Sequence, residues 1–126
     1  MLRCALMAVF GLSIALGAAA QTSRPFPANA LRGALLVTQP PEAQLNGLGA
    51  RLSPGSRIRG ADNMVQMSGS LAGQRLLVHY TLDPGGLVHD VWILTPDEAG
   101  RRPWPTTAEE ARRWVFNPAA QTWARR

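Results

Sequence analysis

Lysine is absent from this chain of 126 residues, and cysteine occurs once, at Cys4. All 13 basic residues are therefore arginine. Together with abundant Ala, Gly and Pro, that bias reads as GC-rich coding rather than a selection of Arg for bidentate grip. Histidine is nearly as scarce, with only His79 and His89, and no Gly-x-Ser-x-Gly elbow or similar nucleophile motif is present. The two methionines beyond the first segment, Met64 and Met67, read as gap-fillers rather than soft-metal ligands. No metal and no cofactor are expected. Long apolar runs are lacking too, apart from one at the start of the chain.

That run is MLRCALMAVFGLSIALGAAAQ. Arg3 gives a short positive region, Ala5 to Leu16 an apolar core, and Ala18-Ala19-Ala20 a small-residue cleavage signal before Gln21. A membrane-spanning helix needs about 20 apolar residues, and this run is shorter. Residues 1–20 are expected to be a cleaved signal peptide, and the protein periplasmic or secreted. Cys4 precedes the apolar core, so it is not a lipidation site, and no Arg-Arg pair marks twin-arginine export. Removal of Cys4 leaves no thiol, which excludes disulfide staples, thiolate nucleophiles and cysteine-ligated zinc.

Residues 21–32, with prolines at 25 and 27, are expected to form a flexible leader, and 33–126 a single small domain. Charge is balanced as far as Gly100. Beyond it, six arginines face only Glu109 and Glu110. This basic end would suit an anionic envelope component or an acidic partner, and would equally serve as a solvated tail.

Turn signals punctuate the first half closely. Asn46-Gly47, Ser53-Pro54-Gly55 and Asp62-Asn63 each mark a reversal. Between them lie only short runs, among them 33–38, 42–45, 50–52, 57–59 and 64–67, which predict strands of a meander or small barrel.

The longest apolar pattern is Arg75 to Thr95, RLLVHYTLDPGGLVHDVWILT. It predicts a central hairpin turning at Asp83-Pro84-Gly85-Gly86. Pairing Leu82 with Leu87 sets Val78 opposite Val91 and Leu76 opposite Ile93 on one apolar face. The other face then pairs Leu77 with Trp92 and His79 with Asp90. An imidazole beside a carboxylate is half of a catalytic triad, so His79 and Asp90 are the catalytic candidates. The same pair also serves as a cross-strand contact worth less than ~1 kcal/mol. On that second view Val78→Asp unfolds the domain while His79→Ala does not. His79 and His89 fall on opposite faces in this register, which argues against a shared metal.

In the last quarter Thr95-Pro96-Asp97-Glu98 has the form of a capping box that starts a helix, stopped within about a turn by Gly100 and Pro103. A second box, from Thr106 or Thr107, predicts a helix to about Trp114, with Ala108, Ala111 and Val115 on one stripe. Trp104, between Pro103 and Pro105, reads either as an exposed aromatic platform or as a lid over the second face of the hairpin. A last short strand is expected near Gln121 to Trp123.

The segments LNGLGARLSPGSRIRGADN and LLVHYTLDPGGLVHDVWILTPDEA, within Leu45 to Ala99, resemble a group of small exported bacterial proteins of unknown function. That resemblance implies export and no particular activity. Tyr80-x-Leu82-Asp83-Pro84-Gly85-Gly86 and Arg113-Trp114-Val115-Phe116-Asn117-Pro118 are similar to a run in the C-terminal domain of TonB energy-transducing proteins. No Tyr-Pro helix precedes the hairpin and no long Pro-rich spacer follows the signal segment. The likeness implies shared local topology, not shared function.

The expected fold is mainly β, with α+β as the alternative: a small, mainly antiparallel sheet or barrel of six to eight short strands, and one short C-terminal helix. The expected function is a non-catalytic binding or structural module of the bacterial envelope. Its candidate contacts are Trp92, Trp104, Trp114, Arg112, Arg113, Arg125 and Arg126, because aromatic and Arg side chains dominate interface energetics. A small hydrolase-like enzyme using His79 and Asp90 is the alternative. Nucleic acid is not an expected partner, since export removes the chain from it. After signal cleavage the chain is not expected to be an integral membrane protein.

Overall fold

The computed structural model describes residues 24–126, so the expected signal segment and its cleavage point lie outside the described residues. Eight short strands and two short helices follow. β1 is Leu31–Val37, β2 Glu42–Leu45, β3 Leu48–Arg59, β4 Val65–Gln66, β5 Arg75–Leu82 and β6 Val88–Ile93. Helices α1 (Pro96–Ala99) and α2 (Ala108–Arg113) precede a final hairpin of β7 (Val115–Asn117) and β8 (Thr122–Ala124).

The strands form because local signals agree. Asn46 and Gly47, at φ 54° and 79°, make the two-residue reversal that pairs Leu45 with Leu48. Asp83 closes the next hairpin, its N–H donating to Leu87 O at 2.8 Å while its Oδ1 accepts from Leu87 N at 2.9 Å. Gly86 supplies the positive φ that this turn requires.

β1, β2 and β3 run as an antiparallel meander; β5 and β6 follow as a hairpin. β5 returns to pair with β1, and β6 lies parallel to β3. The order β2-β1-β5-β6-β3, closed by the β2–β3 pairing, is a small five-stranded barrel. This Greek-key connectivity is that of the OB type. The β3–β6 pair is the parallel neighbour in an otherwise antiparallel set of pairings among the described residues. Closure needs it, because β3 and β6 enter the ring in the same direction.

Inside the barrel lie Leu35, Val37, Leu52, Ile58, Val78, Tyr80, Val88 and Val91, with Leu71 of a 3-10 turn (Ser68–Leu71) packed against them. Two expected features move. Ser53-Pro54-Gly55 does not reverse the chain; β3 runs through it with a register break, Ser53 to Ser56 standing between the pairs Leu52↔Val88 and Arg57↔Asp90. Pro54 has no N–H for a ladder, so it sits where the ladder is interrupted.

The hairpin register also differs from the expected one. Val78 faces Ile93, His79 faces Trp92 and Tyr80 faces Val91. That is a slip of two residues, and a slip of two leaves every side chain on its face. A bulge then sets His89 and Asp90 against Thr81, between the pairs Tyr80↔Val91 and Leu82↔Val88. It turns Val88 inward with Val91, where strict alternation had put Leu87 and His89 on that face.

Outside the barrel a second apolar layer covers β1, β5 and β6. It contains Phe26, Ala30, Trp104 and Trp123, with Trp92, Leu94, Trp114 and Phe116 packed against them. The stretch expected to be a flexible leader is thus part of the fold from Arg24 onward. Phe26 and Ala30 are buried, and Arg24 is tied to Glu98, Gly60 and Ile93.

Candidate functional site

Capping fixes the segment that bears most of the polar chemistry. Thr95 Oγ1 accepts from Glu98 N at 3.2 Å, and Glu98 Oε1 accepts from Thr95 N at 2.9 Å, so the expected capping box is formed. Glu98 is thereby aimed inward, where Arg24 Nε donates to its Oε2 at 2.9 Å. Burial by itself pushes the Glu98 carboxyl up; the hydrogen bonds from Arg24 and Thr95 outweigh it and hold the carboxyl below its usual range.

Arg32, on β1, gathers the end of α1. Its guanidinium donates to the carbonyls of Glu98 at 2.8 Å, Ala99 at 3.1 Å and Arg101 at 3.0 Å, and its Nε donates to His79 Nε2 at 3.3 Å. Arginine has only donors, so Nε2 accepts, and the neutral imidazole carries its proton on Nδ1. His79 is 0% exposed. Trp104 stacks on it with centroids 4.0 Å apart, and Phe26 stands edge-on at 4.4 Å. Burial first, then the Arg32, Arg24 and Arg101 charges, depress its pKa to about 2.

This geometry separates the catalytic candidates. Asp90 is not opposite His79: its N–H donates to Thr81 Oγ1 at 3.1 Å and its carboxylate is 3.9 Å from Arg59. The two-residue slip is the reason. His79 is walled off from solvent, and Arg32 already occupies its acceptor nitrogen. Because the ring is fully enclosed between Phe26 and Trp104, His79→Ala is now expected to cost stability rather than spare it.

Trp104 is the lid rather than a platform: it is 4% exposed, and its Nε1 donates to Ala30 O at 2.9 Å. Trp92 is half-buried 5.6 Å from Phe26. Trp114 is half-buried with the Arg125 guanidinium 5.2 Å from its ring. Arg112, Arg113, Arg125 and Arg126 are exposed, and among the described residues none of them makes an ion pair. Of the seven candidate contacts, Trp104 is enclosed, while Trp92, Trp114 and these four arginines keep exposed surface.

The stretch around Phe26 and the C-terminal hairpin are locked together beneath that surface. Gln121, at φ 54°, accepts from Phe26 N at 3.0 Å and donates to Phe26 O at 3.4 Å and Pro118 O at 3.0 Å. The side-chain amide thus stands in for a strand partner of Phe26.

Three features escaped sequence reasoning. Ser53 Oγ lies 3.0 Å from His89 Nδ1, a contact made by the parallel β3–β6 pairing, for which no local signal exists. A groove of about 470 Å³ runs beside them, lined by Pro40, Pro41, Ser53, Pro54, Ser56 and Met67 among others. A second groove, about 340 Å³, lies between the N-terminal stretch and α2. Among the described residues no three His, Cys, Asp or Glu side chains converge as metal ligands, and no helix is long and apolar enough to cross a membrane.

Fold and site together define a small Greek-key barrel with an aromatic outer layer and a cationic end. In comparisons with known proteins, the chain matches no family model, no curated protein and no solved structure.

Proposed function

We propose that this domain is an exported, non-catalytic binding module of the bacterial cell envelope. Its contact surface is the C-terminal layer, where Trp114 and Arg112, Arg113, Arg125 and Arg126 meet an anionic envelope component or an acidic partner. One observation carries the reading. The buried Glu98 carboxylate is matched by Arg24, whereas the arginines of this layer have no acidic partner among the described residues. Unpaired exposed cations raise the local potential and favour an anionic ligand.

Export makes a separate prediction. Mass spectrometry of protein recovered from the periplasm or medium is expected to find Gln21 at the N-terminus; Met1 there would overturn export with cleavage.

Truncation after Pro118 is not a clean test of binding, since it removes Gln121 and Trp123 from the second layer. Replacing Arg112, Arg113, Arg125 and Arg126 by Gln together leaves the buried residues untouched. Retention on anionic envelope extract at low salt is expected to fall about tenfold, and added salt to mimic the loss. Equal retention of variant and parent would return the arginines to a solubilising role.

A further inference from the structure

The groove beside α2 combines features that no structural role uses. Its walls are Ala28 and Asn29 on one side and Ala108 and Ala111 on the other, with Leu31 and Arg112 completing the lining. Ala108, Ala111 and Arg112 stand at i, i+3 and i+4 of one helix, so they share a face and the guanidinium lies beside the methyls. Leu31 is buried, and Ala111 packs against both the barrel core and the aromatic layer, so the groove is bedded on the folded interior. Three alanines hold it open; larger apolar side chains at those positions would close it.

Arg112 is the one charged side chain in the lining, and no carboxylate lines it. Glu110, on the same helix, is engaged by Thr106, which donates from N at 3.2 Å and Oγ1 at 2.8 Å. Glu109 forms no ion pair among the described residues, and neither does Arg112. An apolar trough of about 340 Å³ with an unclaimed guanidinium in its lining is at the small end of ligand pockets, of the order of 300–1,000 Å³.

We infer that this groove binds a single-chain anionic amphiphile, its acyl chain against Ala28, Leu31, Ala108 and Ala111 and its carboxylate or phosphate head on Arg112. The inference rests on the proposed envelope-binding role and names its ligand class. A guanidinium offers an oxyanion paired, parallel hydrogen bonds, which a cationic or neutral head cannot accept in the same way. A two-chain lipid is too large for the trough.

The test uses the chain from Gln21 onward, which retains every described residue, titrated with dodecanoate and with dodecyl phosphate below their micellar concentrations. Calorimetry should show saturable binding to at least one of them, and backbone NMR shifts should centre on Ala28, Ala108 and Ala111. Whichever head binds more tightly identifies the natural one. Arg112→Gln should weaken binding about tenfold. Ala108→Leu, at an exposed helix position, should block it with no change in thermal melting. Dodecyltrimethylammonium binding as tightly as the anions would overturn the proposal, as would full affinity in Ala108→Leu. Concentration-dependent shifts of the same residues without ligand would instead assign the groove to a second copy of the chain. Failure of the envelope-binding role reads differently: the fourfold Arg variant would then be retained on envelope extract like the parent.

Discussion

Trp104→Ala is expected to lower the unfolding free energy by about 3–5 kcal/mol, the cost of emptying a large aromatic site in a packed layer. Trp104 contacts Phe26, His79, Phe116 and Trp123, and its Nε1–H is satisfied by Ala30 O. Its removal leaves His79 without its stacking partner and the N-terminal stretch without its anchor. Domains of this size have roughly 5–15 kcal/mol in all, so the loss is a large share of the total. Urea unfolding should show a lower midpoint. Trp104→Phe, which keeps a ring but abandons the hydrogen bond, should lose distinctly less. A loss under ~1 kcal/mol for the alanine variant would mean that the outer layer is not a cooperative part of the fold.

The second large effect is with pH. The His79 pKa is depressed from 6.5 to about 2, so the unfolded chain binds a proton that the folded one refuses. Stability from this group is complete above the unfolded value, and it drains away as pH falls toward the folded one. The slope approaches about 1.4 kcal/mol per pH unit, giving about 2–3 kcal/mol between pH 6.5 and 4.5. Glu98 acts with the same sign but lower down, because its depressed carboxyl is lost only as pH drops below the usual carboxylate range. Urea midpoints measured from pH 7.5 to 4.5 should therefore fall early in wild type. His79→Phe keeps an aromatic ring under Trp104 and removes the titration. It should be less stable at neutral pH yet show a flatter profile, His89 being common to both proteins. Parallel profiles would place the acid sensitivity elsewhere.

Neither effect is visible in the linear chain. His79 reads from its strand as one member of a polar cross-strand pair, and only the partners brought from Phe26, Arg32 and Trp104 make it a buried neutral ring. Asp90 shows the complementary limit. A two-residue slip preserves the apolar face, so hydrophobic alternation could not choose between the expected register and the observed one. The Ser53–His89 contact depends on a parallel neighbour from far along the chain, and the clamp between Gln121 and Phe26 spans 95 residues.

What the sequence by itself determined is the set of features written within a few residues. These include the Asn46-Gly47 reversal, the Asp83–Gly86 turn, the capping box at Thr95, the cap of α2 at Thr107 and the mainly β character. Each is a competition between local backbone conformers, decided by side chains next to them. Tertiary structure alone decided the barrel closure, the parallel β3–β6 pair, and the docking of Arg24 to Ala30 as the edge of a second core. It also decided which of the candidate Trp and Arg side chains remain on the surface. Those outcomes depend on closing the barrel and covering its outer face, and burial of that kind is non-directional and leaves no short-range signature.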